Sequence, residues 1–296
     1  MQADILTKVI LPLSLFLIMY GIGISLKPAD FRNVLIYPKA LAVGVVGQMI
    51  LLPLIAFAIA TAMRLPPEIA VGLMIIALAP GGATSNMFTY LFRGDVSLSI
   101  SLTAVVSLVT PFTIPVITAL AMDYFLGSNT AFSLPVTKTI VQLLLITVIP
   151  VALGMLTLAK WPNAAARIEK ALRIFSLFFL ALIIALIVLK NKNEMADFFA
   201  QAGLATLLLN VAVLWLGYQL ARWSRLSHAQ SITLGFEVGI QNGTLALVVA
   251  GTLIGNAAMM IPAVTYSLIM FASGAGFGWL MRTKARGANS LDDASI

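Results

Sequence analysis

Long apolar runs separated by short charged clusters constrain this chain more than any other feature of its sequence. About nine runs are long enough to cross a hydrocarbon layer about 30 Å thick as helices, and proline, glycine and charged residues separate them. Only 10% of the 296 residues are charged and 60% are apolar, whereas a soluble domain is about 25% charged. The pattern predicts an all-α polytopic membrane protein and excludes a water-soluble fold.

The predicted transmembrane helices follow one another with short connections. They lie at residues 8–26, 38–62, 69–92, 96–122, 136–159, 169–190, 198–222, 229–254 and 259–282, and a polar tail follows at 285–296. The first run is long for the apolar core of a signal peptide and has no basic segment before it, so we expect it to be retained as a helix.

The distribution of lysine and arginine predicts the orientation of these helices. With the N-terminus outside, the inner segments carry most of the 18 Lys and Arg residues, and the outer segments carry only Lys8, Arg64, Lys138, Lys190 and Lys192. Cytoplasmic loops hold the excess of positive charge, so the sequence predicts an N-out, C-in protein of a bacterial inner membrane. This topology explains the net charge of +7. No nucleic-acid partner is expected, because no basic helix is interleaved with aromatic residues.

Two of the predicted spans are interrupted by helix breakers and polar residues near mid-membrane. The third span contains PGGATSN at residues 80–86, and the eighth contains EVGIQNGT at 237–244. At that depth, backbone without helical hydrogen bonds is tolerated only against protein or a water-filled cavity. Interrupted spans at corresponding places of spans 2–4 and 7–9 indicate inverted repeats, although the sequence match, which sets Ser85-Asn86 beside Gln241-Asn242, is weak.

Glu237 is a carboxylate within a predicted span, and no Lys or Arg lies inside the spans near it. Such a group is costly unless it faces a cavity, a partner or an ion. Side-chain oxygens cluster in the same two segments, on Thr84, Ser85, Asn86, Gln241, Asn242 and Thr244. Because hard cations prefer oxygen ligands, the pattern favours a cation or proton site. The alternative is a protonated glutamate that forms hydrogen bonds between helices.

Three other polar residues interrupt apolar spans. Ser99 and Thr103 are four residues apart and share one face of the fourth helix, and Gln48 lies in the second span. For Ser99 and Thr103 the alternative is hydrogen bonding to the preceding helical turn. For Gln48 it is an interhelical hydrogen bond.

The runs PGGATSNMFTYLFRGDVSLSISLT and FEVGIQNGT resemble the two signature regions of the bile acid:sodium symporter family, and the similarity extends through nearly the whole chain. The resemblance implies inverted repeats with two crossed, discontinuous helices in a core domain that moves against a panel domain. The implied division is panel helix 1 at 1–35, core helices 2–4 at 36–125, panel helices 5 and 6 at 126–195, and core helices 7–9 at 196–284.

The resemblance also implies two Na⁺ sites and a site for an organic anion. The first Na⁺ site would comprise Ser85, Asn86, Ser99, Thr103 and Glu237. The second would comprise Gln48, Glu237 and Gln241, with the backbone carbonyls of Val238 and Ile240. The anion is expected near Ala83, Thr84 and Asn242, where the N-termini of half-helices favour a carboxylate. The chain reads GGATS where bacterial members often read GGTAS, which shifts the Thr84 hydroxyl by one position.

These features predict a secondary active transporter that carries Na⁺ and a small organic anion, such as a bile acid, a pantoate-like acid or a keto acid, by alternating access. The alternative is a proton-coupled carrier that uses Glu237 as its proton site. A channel or sensor without transport would lack stoichiometric coupling. An intramembrane hydrolase is not supported, since the sequence has no HExxH motif and no paired intramembrane aspartates.

Overall fold

The computed structural model describes residues 6–127, 134–190 and 195–292, and within these ranges the chain is helical almost throughout and has no strand. The helices are α1 (Leu11–Ser25), α2 (Pro28–Ile36), α3 (Pro38–Ala62), α4 (Pro67–Leu78), α5 (Ala83–Leu91), α6 (Val96–Leu126), α7 (Val136–Lys160), α8 (Pro162–Lys190), α9 (Met195–Trp223), α10 (His228–Gly239), α11 (Gly243–Val248) and α12 (Ile261–Asp292). A π-helical turn precedes α1, another follows α11, and α3 and α7 each contain one.

Seven helical stretches of the described chain are long and apolar enough to cross a membrane, or up to eight if the bent pair α4–α5 is one span. Their outer faces expose large apolar side chains, among them Leu54, Leu120 and Leu153. Soluble monomers rarely expose apolar patches of this extent, so the fold agrees with the predicted polytopic membrane protein. The sixth predicted span lies within α8, which is not among those eight, and nine crossings therefore stay a prediction.

Helix starts follow local chemistry that the sequence already contains. Proline occupies the first position of α2, α3, α4 and α8, where its missing N–H is not needed. Asp95 caps α6 by accepting from the N–H of Leu98 at 3.0 Å, and Ser227 and Gln230 form a reciprocal capping box at the start of α10.

The ends of the predicted spans differ from the structure in two places. The short helix α2 lies between the first two predicted spans, in a connection for which no helix was predicted. At the other end of the chain, α12 continues through Asp292 into the segment predicted as a polar tail. Lys192, one of the residues predicted to lie outside, falls outside the described residues.

Helices α10 and α11 lie at the centre of the protein. They pack against α5, α6, α9 and α12, and every residue from 231 to 250 is buried. Helices α1, α7 and α8 pack on one another. This arrangement places residues 237–244 deep inside the protein, and the division into core and panel domains stays a prediction.

Two similar turns precede the two interrupted helices. Arg64 and Arg225 both adopt the left-handed conformation, with φ of 50° and 55°, which is uncommon for residues other than glycine. Each is followed by a leucine whose N–H donates to the carbonyl five residues earlier, at 3.0 Å. Helices α4 and α10 are both 12 residues long, so the structural match sets Pro67 beside His228. The polar-motif match of the sequence would instead set Pro67 beside Trp223.

Candidate functional site

The two interrupted segments lie against each other. Helices α4 and α5 are bent by 63° at residues 79–82, and residues 240–242 separate α10 from α11. The N–H of Asn242 donates to the carbonyl of Pro80 at 2.8 Å. Backbone groups released from one helix thus find a partner in the other break, as buried polar groups must.

The side chain of Glu237 is completely buried and is surrounded by oxygen atoms. Its Oε1 accepts from the Ser99 hydroxyl at 2.6 Å, and its Oε2 accepts from the Thr103 hydroxyl at 2.8 Å. The Ser99 Oγ also lies 2.7 Å from Asn86 Oδ1 and 3.3 Å from Thr89 Oγ1. We call Asn86, Thr89, Ser99, Thr103 and Glu237 the carboxylate cluster. A hydroxyl has one hydrogen, so Ser99 can donate to only one of its three neighbouring oxygens.

Ser85 lies beside this cluster, at the first turn of α5. Its hydroxyl donates to the carbonyl of Gly82 at 2.8 Å and accepts from the Gly82 N–H at 3.1 Å. A Cβ atom on Gly81 would lie 2.9 Å from both Glu237 Oε2 and Ser85 Oγ. Gly81 is therefore a site residue that sequence reasoning did not single out, although it belongs to the PGG run that predicted the break.

A second group of oxygens lies on the other side of Glu237. Gln241 Nε2 donates to the carbonyls of Val238 at 2.7 Å and Glu237 at 3.3 Å, and Gln48 Nε2 lies 3.4 Å from Gln241 Oε1. We call Gln48, Gln241 and the carbonyls of Glu237 and Val238 the amide cluster. Glu237 joins the two clusters, since its carboxylate belongs to one and its carbonyl to the other. Ile240 follows directly at the end of α10.

The Oε1 atom of Gln48 is buried and has no hydrogen-bond partner among the residues that the structure describes. Gln48 lies in a π-helical turn of α3, Gly47–Leu51, and such turns occur frequently at functional sites. Leaving a buried acceptor unpaired costs about 1 to 3 kcal/mol. A buried amide oxygen without a donor has the chemistry of a cation ligand.

A cavity of about 290 Å³ adjoins the carboxylate cluster between α1, α5, α6 and α8. Its polar lining residues are Ser25, Asn86, Tyr90 and Glu169, and the other lining side chains are apolar. Asn86 thus belongs to both the cavity and the carboxylate cluster. Sequence reasoning missed the contributions of α1 and α8, because no polar motif marks them.

The residues predicted to contact the anion are divided between two cavities. Thr84 and Asn242 line a smaller space of about 30 Å³, and Ala83 lines both this space and the larger cavity. Asn242 also caps α11 by accepting from the Leu245 N–H at 3.0 Å. Its side-chain oxygen is therefore already engaged, and its amide N–H groups are what it can offer to an anion.

Comparison with known proteins gives a consistent result. The family model described as the sodium bile acid symporter family matches residues 12–198. A Bacillus subtilis protein, described as the uncharacterized sodium-dependent transporter YocS, is 27% identical over 282 residues, which cover 93% of this chain and 84% of that protein. The Arabidopsis thaliana probable sodium/metabolite cotransporter BASS1 is 29% identical over 90% of this chain and 65% of its own length. The human ileal sodium/bile acid cotransporter is 28% identical over 82% of this chain and 69% of its own length.

Proposed function

This chain belongs to the sodium bile acid symporter family, and from that membership and the site geometry we propose that it couples the entry of Na⁺ to the uptake of a small organic anion. The family consists of transporters rather than enzymes, as the sequence predicted. The observation that carries the proposal is the buried carboxylate of Glu237 between two oxygen clusters at the meeting point of two helix breaks.

The two clusters supply the ligands for two Na⁺ ions. In this proposal one ion is held by Ser85, Asn86, Ser99, Thr103 and Glu237. The other is held by Gln48, Glu237 and Gln241 with the carbonyls of Val238 and Ile240. Oxygen ligands from side chains and unwound backbone suit a hard cation. The unpaired Gln48 Oε1 supports the second site in particular.

Asn86 links cation binding to anion binding. Its side-chain oxygen faces the hydroxyls of Ser99 and Thr103, at 2.7 and 3.5 Å, and the residue also lines the larger cavity. A cation that takes this oxygen leaves the amide NH₂ as a donor toward the cavity, because the two ends of an amide have opposite hydrogen-bonding character. The anion carboxylate is then bound next to the ions, with Ala83, Thr84 and Asn242 around the break.

The transport cycle follows from the predicted topology. With the N-terminus outside, Ser25 at the end of α1 and Glu169 near the start of α8 lie toward the cytoplasm, so the larger cavity faces inward. We propose that the core helices move against α1, α7 and α8 and expose the site alternately to the two sides of a bacterial inner membrane. Two Na⁺ ions with a monovalent anion carry one net positive charge, and the membrane potential then contributes about 2.3 kcal/mol per 100 mV.

Sodium dependence tests this function directly. In proteoliposomes, a labelled small carboxylate is expected to accumulate when a Na⁺ gradient is applied and not when K⁺ replaces Na⁺. Na⁺ should also raise the melting temperature of the purified protein, by mass action on the folded state, whereas equimolar K⁺ should not. Uptake that follows a pH gradient and ignores Na⁺ would contradict the proposal and favour the proton-coupled carrier.

Gln48→Met is expected to separate stability from ion binding. Methionine has a similar size and no amide, so the substitution removes the unpaired Gln48 Oε1 but also the Gln48 N–H group that lies 3.4 Å from Gln241 Oε1. Because these two effects on stability oppose each other, the melting temperature in K⁺ should change little. The additional stabilisation by Na⁺ should shrink, since one ligand is lost. Thermal unfolding in both salts measures both effects. An unchanged Na⁺ response would remove Gln48 from the ion site.

A further inference from the structure

The carbonyl of Gly239 lies at the helix break but belongs to neither oxygen cluster. In an uninterrupted helix, the carbonyls of Val238 and Gly239 would accept from the N–H groups of residues 242 and 243. Here the Asn242 N–H donates to Pro80 O and the Gly243 N–H donates to Gln241 O. Two successive carbonyls have therefore lost their helical donors and must find others.

These two carbonyls find their partners on different sides of α10. The Val238 carbonyl accepts from Gln241 Nε2 at 2.7 Å, within the amide cluster. The Gly239 carbonyl accepts from Asn210 Nδ2 on α9 at 2.6 Å and from the Tyr266 hydroxyl on α12 at 2.9 Å. A carbonyl oxygen has two lone pairs. The two donors saturate the Gly239 carbonyl, whereas the Val238 carbonyl keeps one lone pair for a further partner.

The donors on Gly239 are themselves fixed. Asn210 and Tyr266 have no exposed surface, and the Ser273 hydroxyl donates to Asn210 Oδ1. The Gly239 carbonyl can only accept, so the nitrogen end of the Asn210 amide must face it. The oxygen end then faces the Ser273 hydroxyl, which also lies 2.8 Å from the Ile269 carbonyl. In the part of the chain that the structure describes, Asn210 and Tyr266 donate to the Gly239 carbonyl and not to a member of the carboxylate or amide cluster. Their polar atoms act on the break through one backbone carbonyl.

We propose that Asn210 and Tyr266 are positioning residues for the cation site of the amide cluster. By holding the Gly239 carbonyl toward α9 and α12, they determine the orientation of the peptide units on either side. The carbonyls of Val238 and Ile240 are thereby kept available on the side where Gln48 lies. The inference rests on the proposed function, because it assigns these two residues a role in Na⁺ affinity and none in direct contact with the ion.

Tyr266→Phe and Asn210→Leu test this role, since each removes one donor with little change in volume. In each variant, the Na⁺ concentration that gives half of the maximal thermal stabilisation should rise about three- to tenfold, which corresponds to the loss of one hydrogen bond. The double variant should show a larger rise. At saturating Na⁺, the concentration of anion that half-saturates uptake should stay unchanged, because the anion site is not altered.

Thr265→Val is the matched control. Thr265 precedes Tyr266 on α12, is equally buried, and forms hydrogen bonds to Thr206 and to its own helix rather than to Gly239. Its loss should lower the melting temperature equally in Na⁺ and K⁺ and leave the Na⁺ titration unchanged. If Tyr266→Phe does not fold, Ser273→Ala, which releases the Asn210 amide, should still shift the Na⁺ titration.

The outcomes distinguish this inference from the proposed function. A natural chain that responds to Na⁺, with variants that melt lower but keep the same Na⁺ titration, would overturn the positioning role and leave the proposed function intact. A natural chain that does not distinguish Na⁺ from K⁺ would overturn both. A shifted titration in both donor variants, with none in Thr265→Val, would support the inference.

Discussion

Glu237→Gln is expected to abolish both the stabilisation by Na⁺ and Na⁺-driven uptake while the protein remains folded. The carboxylate accepts from the hydroxyls of Ser99 at 2.6 Å and Thr103 at 2.8 Å, and it has no exposure to water. Water therefore cannot replace the negative charge that the substitution removes. Removing one partner of a buried charge pair costs about 3 to 5 kcal/mol, which lowers the affinity for Na⁺ by at least about 100-fold. Glutamine has the same size, and its oxygen can still accept from one of the two hydroxyls.

The measurement is thermal unfolding of the purified variant in Na⁺ and in K⁺, together with uptake into proteoliposomes. Asp123→Asn provides the control, because it removes the same charge from an exposed position near the end of α6. This control should respond to Na⁺ as the natural chain does. A Glu237→Gln variant that keeps its Na⁺-specific stabilisation would show that the carboxylate does not hold the ion.

Gly81→Ala is expected to close the first cation site. The added methyl group would lie 2.9 Å from both Glu237 Oε2 and Ser85 Oγ, which is closer than carbon and oxygen atoms normally approach. Either the two side chains move apart or the backbone of the break shifts, and overpacking of this kind costs about 1 to 3 kcal/mol. The expected result is a rise of about 10- to 100-fold in the Na⁺ concentration required for half-maximal uptake.

Gly276→Ala is the control for this substitution. A Cβ atom on Gly276 would meet no atom within 4 Å, so this variant tests the effect of an additional methyl group alone. The two variants are compared in the same Na⁺ titration of uptake and thermal unfolding. Equal Na⁺ titrations for Gly81→Ala and Gly276→Ala would mean that the space next to Gly81 is not used by an ion.

The sequence predicted the residue types at the two breaks but not all the contacts between them. Asn86, Ser99 and Glu237 were expected to share a site through the family resemblance, and the structure brings them together across 138 residues of chain between Ser99 and Glu237. Their role as Na⁺ ligands stays a prediction. The sequence did not single out Asn210 and Tyr266 as site residues. An asparagine or tyrosine within an apolar span often forms a hydrogen bond between two helices, and the sequence does not distinguish that role from a role at a helix break.

The predicted repeat also shows the limit of motif comparison. The polar residues of the two breaks do not align in the register of the helices, since each break contains different polar side chains. A turn of similar backbone conformation, around Arg64 and Arg225, instead precedes each interrupted helix and relates the two helices in a different register. A single arginine followed by leucine is too common in sequences to reveal such a match.

By itself the sequence determined that the chain is a bundle of membrane helices with two interrupted spans around a buried acid. Hydropathy depends on the transfer free energies of neighbouring residues, and helix breaking depends on their backbone chemistry. Both can be read from the order of residues along the chain. Only the tertiary structure decided which oxygens face one another, that Gly81 leaves room beside Glu237, and that Gly239 is held from α9 and α12. Those features depend on the rotation and depth of helices that are far apart in the chain, and these are set by packing rather than by local preference.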